Sequence, residues 1–118
     1  MVEVRSPAEL RATGRRIWVA LVEVVDLEEW EKTTLLEACR TADRLDALNK
    51  AMKGKPLTVR NSKGDETAHP LLVESRQQSI VYARLIAALR IPDFETGVIP
   101  QSRSSRGAYG VQVPLKAV

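Results

Sequence analysis

One cysteine and one histidine stand in a chain of 118 residues. A lone Cys39 allows neither an internal disulfide nor a cysteine-based metal cluster, and it reads as a small apolar residue on a buried helix face. His69 has no nucleophile or orienting group suggested near it and stands alone as a metal ligand; next to Pro70 it reads as the residue that opens a helix. Aromatics make up only 4% of the chain, so its core has to be aliphatic and alanine-rich, which suits packed helices better than a β-sandwich. No apolar run has the length that a bilayer span requires. The opening MVEVRSPAEL lacks the apolar stretch of a secretory signal, and a soluble cytoplasmic protein is expected. Gly54 and Gly64 fit neither phosphate-loop nor dinucleotide-loop spacing, which argues against an ATPase or an oxidoreductase. Glu28, Glu29 and Glu31 cluster in one helical turn, whereas a metal-dependent nuclease needs carboxylates converging from separate elements. The helix dipole explains them more simply. No enzyme, no cofactor and no metal are expected.

What is present is an ordinary apolar share, 44%, which excludes wholesale disorder and fits one modest domain. The net charge of +3 leans toward an acidic partner such as nucleic acid, although solubility alone accounts for it equally well.

The pattern along the chain is mainly α. Ser6-Pro7-Ala8-Glu9 predicts a helix start, with Ser6 as cap, Pro7 in the first turn and Glu9 completing a capping box. This helix should run to about Val25. Leu10, Ile17, Leu21 and Val24 line one face, and Gly14 marks a place where another backbone approaches closely. The stretch IWVALVEVV is apolar almost all round. Its β-branched content also suits a strand, but the start signal upstream decides for a helix. A small domain rarely buries both sides of a terminal helix, so Ile17, Trp18, Leu21, Val22 and Val25 are expected to meet another subunit. Asp26 reads as the cap of a second helix reaching Lys53, stopped by Gly54-Lys55-Pro56. Leu35, Ala38, Ala42, Leu45, Asn49 and Met52 form a heptad-like seam suited to an antiparallel neighbour. Arg40, Asp43, Arg44 and Asp46 read as a solvated face. Leu57–Arg60 and Asp65–Thr67 flank the polar turn Asn61-Ser62-Lys63-Gly64 as a short β-hairpin, which is marginal alone and has to lean on helices or on a neighbour. Pro70 then opens a third helix with an apolar stripe of Leu71, Leu72, Ile80, Ala83, Ile86 and Leu89, widened by Val81, Tyr82 and Leu85. The expected fold is thus a helical hairpin core over residues 1–91, with a β-hairpin between its second and third helices. An irregular or flexible tail over 92–118 follows, punctuated by Pro, Gly, Ser and Arg.

The basic residues carry the functional signal. Lys50, Lys53, Lys55, Arg60 and Lys63 form the longest stretch of bases without an intervening acid. Arg11 and Arg15 lie one turn apart on the first helix, and Arg103 and Arg106 lie in the tail. These nine are the candidate phosphate contacts. Without interleaved aromatics or a compact helix-turn-helix, any DNA binding should be driven by the backbone and read little sequence per subunit.

The order of these features resembles the phage small terminase subunit family. The residues that carry the likeness are LLEACRTADRLDAL, a glycine-marked turn, LTVRNSKGDE, HPLL at a helix start, ARLIAALRI, and a downstream PQSRSSRG. They cover about half of the chain well and the tail loosely. His69 stands where the family usually has Asn, and PDFETGVIPQSRS is longer than the family's usual connection. The resemblance implies a non-enzymatic homo-oligomeric ring, of roughly eight to ten subunits. It further implies binding to double-stranded viral DNA in the host cytoplasm and recruitment or regulation of the large terminase subunit, with no membrane role. The alternatives are a small helical DNA-binding regulator or antitoxin-like dimer, and a structural connector without a DNA role.

Overall fold

The computed structural model describes residues 5–92. The fold is mainly helical, with α1 over Ala12–Val24, α2 over Glu29–Met52, a two-stranded antiparallel sheet of β1 (Thr58–Arg60) and β2 (Glu66–Ala68), and α3 over Pro70–Leu89. The tail from residue 93 onward, with Arg103 and Arg106, lies outside the described residues.

Helix α2 is the central rod. Its 24 residues contain no proline or glycine and extend about 36 Å at the usual rise per residue. Both other helices pack on it. Leu35 and Cys39 near its start meet Leu89 at the end of α3 and Leu10 just before α1, so α2 and α3 run antiparallel. The predicted seam is buried over Leu35, Ala38 and Ala42, loosens at Leu45, and leaves Asn49 exposed. Packing is thus tightest in the first half of α2. Thr41 is also fully buried there, its hydroxyl satisfied by the Glu37 carbonyl at 2.8 Å.

Three helix starts decide the geometry, and the sequence signals locate only one of them fully. Helix α1 does not begin at Ser6-Pro7. Residues 7–10 form a turn, with Leu10 N–H donating to the Pro7 carbonyl at 3.2 Å, and the helix starts at Ala12. Glu9 makes no capping box; it pairs with Arg40 at 2.7 Å. The cap comes from another helix. The Asp43 carboxylate accepts from Arg11 N–H at 2.7 Å and from Gly14 N–H at 2.8 Å. This satisfies two of the N–H groups that a helix start leaves over and sets a negative charge on the positive end of α1. Asp43 is therefore a tertiary cap, and with Arg40 it departs from the solvated face expected for both. Gly14 is buried, as its reading as a close-approach site requires. A Cβ built there would lie 2.5 Å from Asp43 Oδ2 and 2.8 Å from the Cys39 carbonyl oxygen.

Helix α2 starts two residues later than Asp26 implies. Glu28 is its N-cap, and Glu31, 3% exposed, closes a reciprocal capping box by accepting from Glu28 N–H at 2.9 Å. Helix α3 opens as read. Pro70 occupies the first turn and His69 is the N-cap, its Nδ1 accepting from Leu71 N–H at 3.0 Å. At its far end, Arg90 takes a left-handed conformation, φ 49°, a backbone state that costs a non-glycine residue some strain.

The α1 face expected from spacing holds at Leu10, Gly14, Ile17 and Leu21, and departs at Val24. Ile17, Trp18, Leu21 and Val22 pack, half-buried, against the chain's own core of Leu10, Leu35, Cys39 and Leu89. Val25 is half-buried at the C-cap of α1. Val24, placed on the core face by its spacing, is 59% exposed. On α3 the inward residues are Tyr82, Leu85, Ile86 and Leu89, whereas Ile80, Val81 and Ala83 face outward.

Replacing Asp43 by Ala should cost about 1–2 kcal/mol, the usual range for a lost cap. Asp43→Asn keeps an acceptor oxygen and should cost less. At Gly14, alanine gains about 1 kcal/mol of helix propensity. The clash includes the Cys39 backbone carbonyl, which cannot swing aside, and overpacking of about 1–3 kcal/mol outweighs that gain. Urea denaturation of the three variants measures this. A Gly14→Ala protein more stable than the parent would refute the close approach of α1 and α2. The α3 cap gives a parallel case: His69→Ala should lose about 1 kcal/mol, while His69→Asn stays within a few tenths because Asn caps equally well. Equal losses for both would show that the imidazole is not acting as a cap.

Candidate nucleic-acid interface

The acid-free basic stretch maps onto one end of the molecule. Helix α2 ends when Gly54, at φ 78°, turns the chain; Lys55 N–H donates to the Met52 carbonyl at 2.9 Å. Lys50 lies in the last turn and Lys53 is the C-cap, where positive charge meets the negative end of the helix dipole. The chain then enters β1. Strand register pairs Thr58 with Ala68, Val59 with Thr67 and Arg60 with Glu66. The turn is closed by Asn61, whose side-chain oxygen accepts from Lys63 N–H at 2.9 Å and Asp65 N–H at 3.0 Å, with Gly64 at φ 86°. His69 N–H donates to the Leu57 carbonyl at 2.7 Å and ties the base of the hairpin.

Lys50, Lys53, Lys55, Arg60 and Lys63 are all exposed. So is the hairpin from Leu57 through Thr67, with Val59 alone half-buried. The hairpin therefore stands off the helices instead of leaning on them. The five bases are not equivalent. Arg60 faces Glu66 across the strands and donates to the Gly64 carbonyl at 2.7 Å, a bond that shapes the turn. Lys53, Lys55 and Lys63 have no such local task, and Lys63 lies in the turn itself.

Arg11 and Lys50 come together although they are far apart in sequence. With Arg40, Arg44, Glu9, Asp43 and Asp46 they line an open groove of about 710 Å³ between the start of α1 and the second half of α2. Charges inside it are partly matched. Arg40 donates to the Glu9 and then the Glu37 carboxylate, and these bonds make its guanidinium hold its proton more tightly than usual, with Arg40–Glu37 at 3.1 Å. Arg44 reaches Glu37 at 3.5 Å. Arg15, expected beside Arg11 as a phosphate contact, donates to the Leu10 carbonyl at 2.8 Å and braces the turn before α1. Sequence reading missed Arg44 as a groove residue. Its spacing from Lys50 across Ala47 is the signal that was available.

No three His, Cys, Asp or Glu side chains among the described residues gather as metal ligands. Cys39 is fully buried; burial first, and then the Asp43 charge, pushes its thiol up from 9.0 to about 11. Burial likewise raises Tyr82, with Cys39 adding to it.

The raised Cys39 value has a sign that can be worked out. Between pH 9.0 and about 11 the folded chain holds a proton that the unfolded chain has released. Stability from this group is thus complete below pH 9 and lost as pH rises through that window. At any pH below it the folded thiolate fraction is roughly 100-fold lower than that of a free thiol. A disulfide-exchange reagent should therefore label the native protein at the rate of unfolding and the urea-unfolded protein at once. Equal labelling rates in the two states would disprove the burial.

Comparisons with protein-family models, with curated proteins and with solved structures found no match.

Proposed function

We propose that this chain is the small, non-catalytic subunit of a phage genome-packaging machine. In this reading it forms a homo-oligomeric ring in the host cytoplasm, binds double-stranded viral DNA, and recruits or regulates the large terminase subunit. The likeness rests on the order of sequence features given above. The observation that carries the functional side is the free basic end: Lys50, Lys53, Lys55 and Lys63 exposed on a helix terminus and a hairpin that no helix covers. One subunit supplies few phosphate contacts. A ring repeats them on one rigid frame, and multivalency then turns weak contacts into useful affinity.

The starts of α2 and α3 favour this over a dimeric regulator. A recognition helix reads base edges with the residues of its first turns. Helix α2 opens on Glu28, Glu29 and Glu31, which phosphates repel, and α3 opens on His69-Pro70 followed by half-buried Leu71 and Leu72. Neither start suits a groove.

Binding to duplex DNA should fall with salt, with a log–log slope of about −0.9 per phosphate contact. Changing Lys53, Lys55 and Lys63 together to Ala should flatten the slope and weaken binding to all sequences alike, while native mass shows the assembly intact. Arg60→Ala should act mainly on hairpin shape and give a smaller change in slope. Filter binding across a salt series decides it: a triple variant that matches the parent at low salt moves the DNA surface away from this end.

A further inference from the structure

The sequence places the subunit contact on α1, but four of those five residues pack on the chain's own core. Among the described residues, and apart from the lone exposed Leu57, two other apolar patches are left open. The first is the corner where α1 passes to α2. Val24 is 59% exposed and Trp30 58% exposed there. Around them lie Glu23, Asp26 and Glu29, all exposed, and residues 23–31 include no base. The second is the outer face of α3. Ile80 is 50% exposed and Val81 40% exposed. Arg76, Ile80 and Arg84 recur every fourth residue and so form one row along the helix. Exposed Ala83, Ala87 and Ala88 flank that row with little bulk, and residues 75–92 include no acid.

Each patch is thus an apolar centre within a rim of one sign, and the two rims are opposite. An exposed tryptophan and an exposed valine flanking one corner call for a cover, and contact centres built on aromatics with charged rims are the usual anatomy of protein interfaces. Opposite rims select partner and orientation. Glu29 is only loosely held by Lys32, at 3.5 Å, with its side chain 92% exposed. It is free to change partner at little cost.

We infer that the Val24–Trp30 corner of one copy docks on the Arg76–Arg84 face of α3 of a second copy, with Trp30 against Ile80 and Val81, and Glu23 and Glu29 against Arg76 and Arg84. The inference rests on the ring reading and gives it a geometry. Two different patches in contact make a head-to-tail interface, and such an interface repeats until it closes into a ring or runs on as a filament. A pairing of like patches would stop at two copies.

Two broken-face variants of the full chain test it, without DNA: Trp30→Asp for the corner and Ile80→Asp for the α3 face. Both positions are exposed, so circular dichroism should show unchanged helix content. Native mass should give assembled wild type, monomers for each variant alone, and a one-to-one heterodimer, nothing larger, when the two are mixed. In the mixture one intact corner meets one intact face, and each partner's other patch is dead. Charge reversal supplies a second pair with less risk to folding: Glu23→Lys with Glu29→Lys, and Arg76→Glu with Arg84→Glu. Each double variant should lose assembly, and combining all four changes in one chain should restore it. If the variants remain assembled, or their mixture stays monomeric, this interface is wrong and the ring reading stands on another surface. If wild type itself is a monomer at micromolar concentration, the ring reading falls and takes the interface with it.

Discussion

One carboxylate, halfway along α2, holds α1 in place. Asp43 binds Arg11 N–H and Gly14 N–H together, and Gly14 lets the two backbones come close enough for it to do so. Without that reach α1 has no side-chain cap of its own, since Arg11 offers none. The cap fixes where α1 begins and hence which residues turn inward. Ile17, Trp18, Leu21 and Val22 cover the core because the first turn is pinned, and Val24 is left in solvent for the same reason. Cys39 feels the same carboxylate as a nearby charge, so the tight spot of the core and the cap are one locus.

Charge is sorted along α2 in the sense that its own dipole favours. Glu28, Glu29 and Glu31 stand at its start, and Lys50, Lys53 and Lys55 at or just past its end. About 36 Å of helix separates the two sets. The basic end continues into the hairpin, and the acidic end turns the corner into α1. The two ends of one rod therefore present opposite charge to their surroundings.

Much of the architecture is legible in the residues because it is local. The proline after His69, the Gly54 stop and the Asn61–Gly64 turn each act within a few positions, and all three appear where their chemistry demands. The start of α1 is the counterexample. Ser6, Pro7 and Glu9 make a persuasive local signal, yet a partner 32 residues away supplies the stronger cap. Local pattern cannot see such a partner; the face of Leu10, Gly14, Ile17 and Leu21 is still legible from spacing, while Val24 is misplaced. The same holds for α3, whose apolar residues nearly encircle it. Ile80, Val81 and Ala83 qualify for the core as well as Tyr82 and Leu85 do, and only packing against α2 selects among them. For the candidate site, the linear run of bases survives folding as an exposed set. The pairing of Arg60 with Glu66 and the bracing role of Arg15 depend on register and on a turn, which a charge count does not contain.

The hairpin is self-contained. Its register and the Asn61 turn are satisfied within residues 58–68, and its side chains scarcely enter the core. Substitutions, insertions or changes of charge at its tip therefore leave the helical frame undisturbed. A lineage bearing this fold is free to vary the exposed residues of the hairpin tip without refolding its helices. Evolvability is thus built in by keeping the most exposed part of the chain mechanically independent of the helical frame.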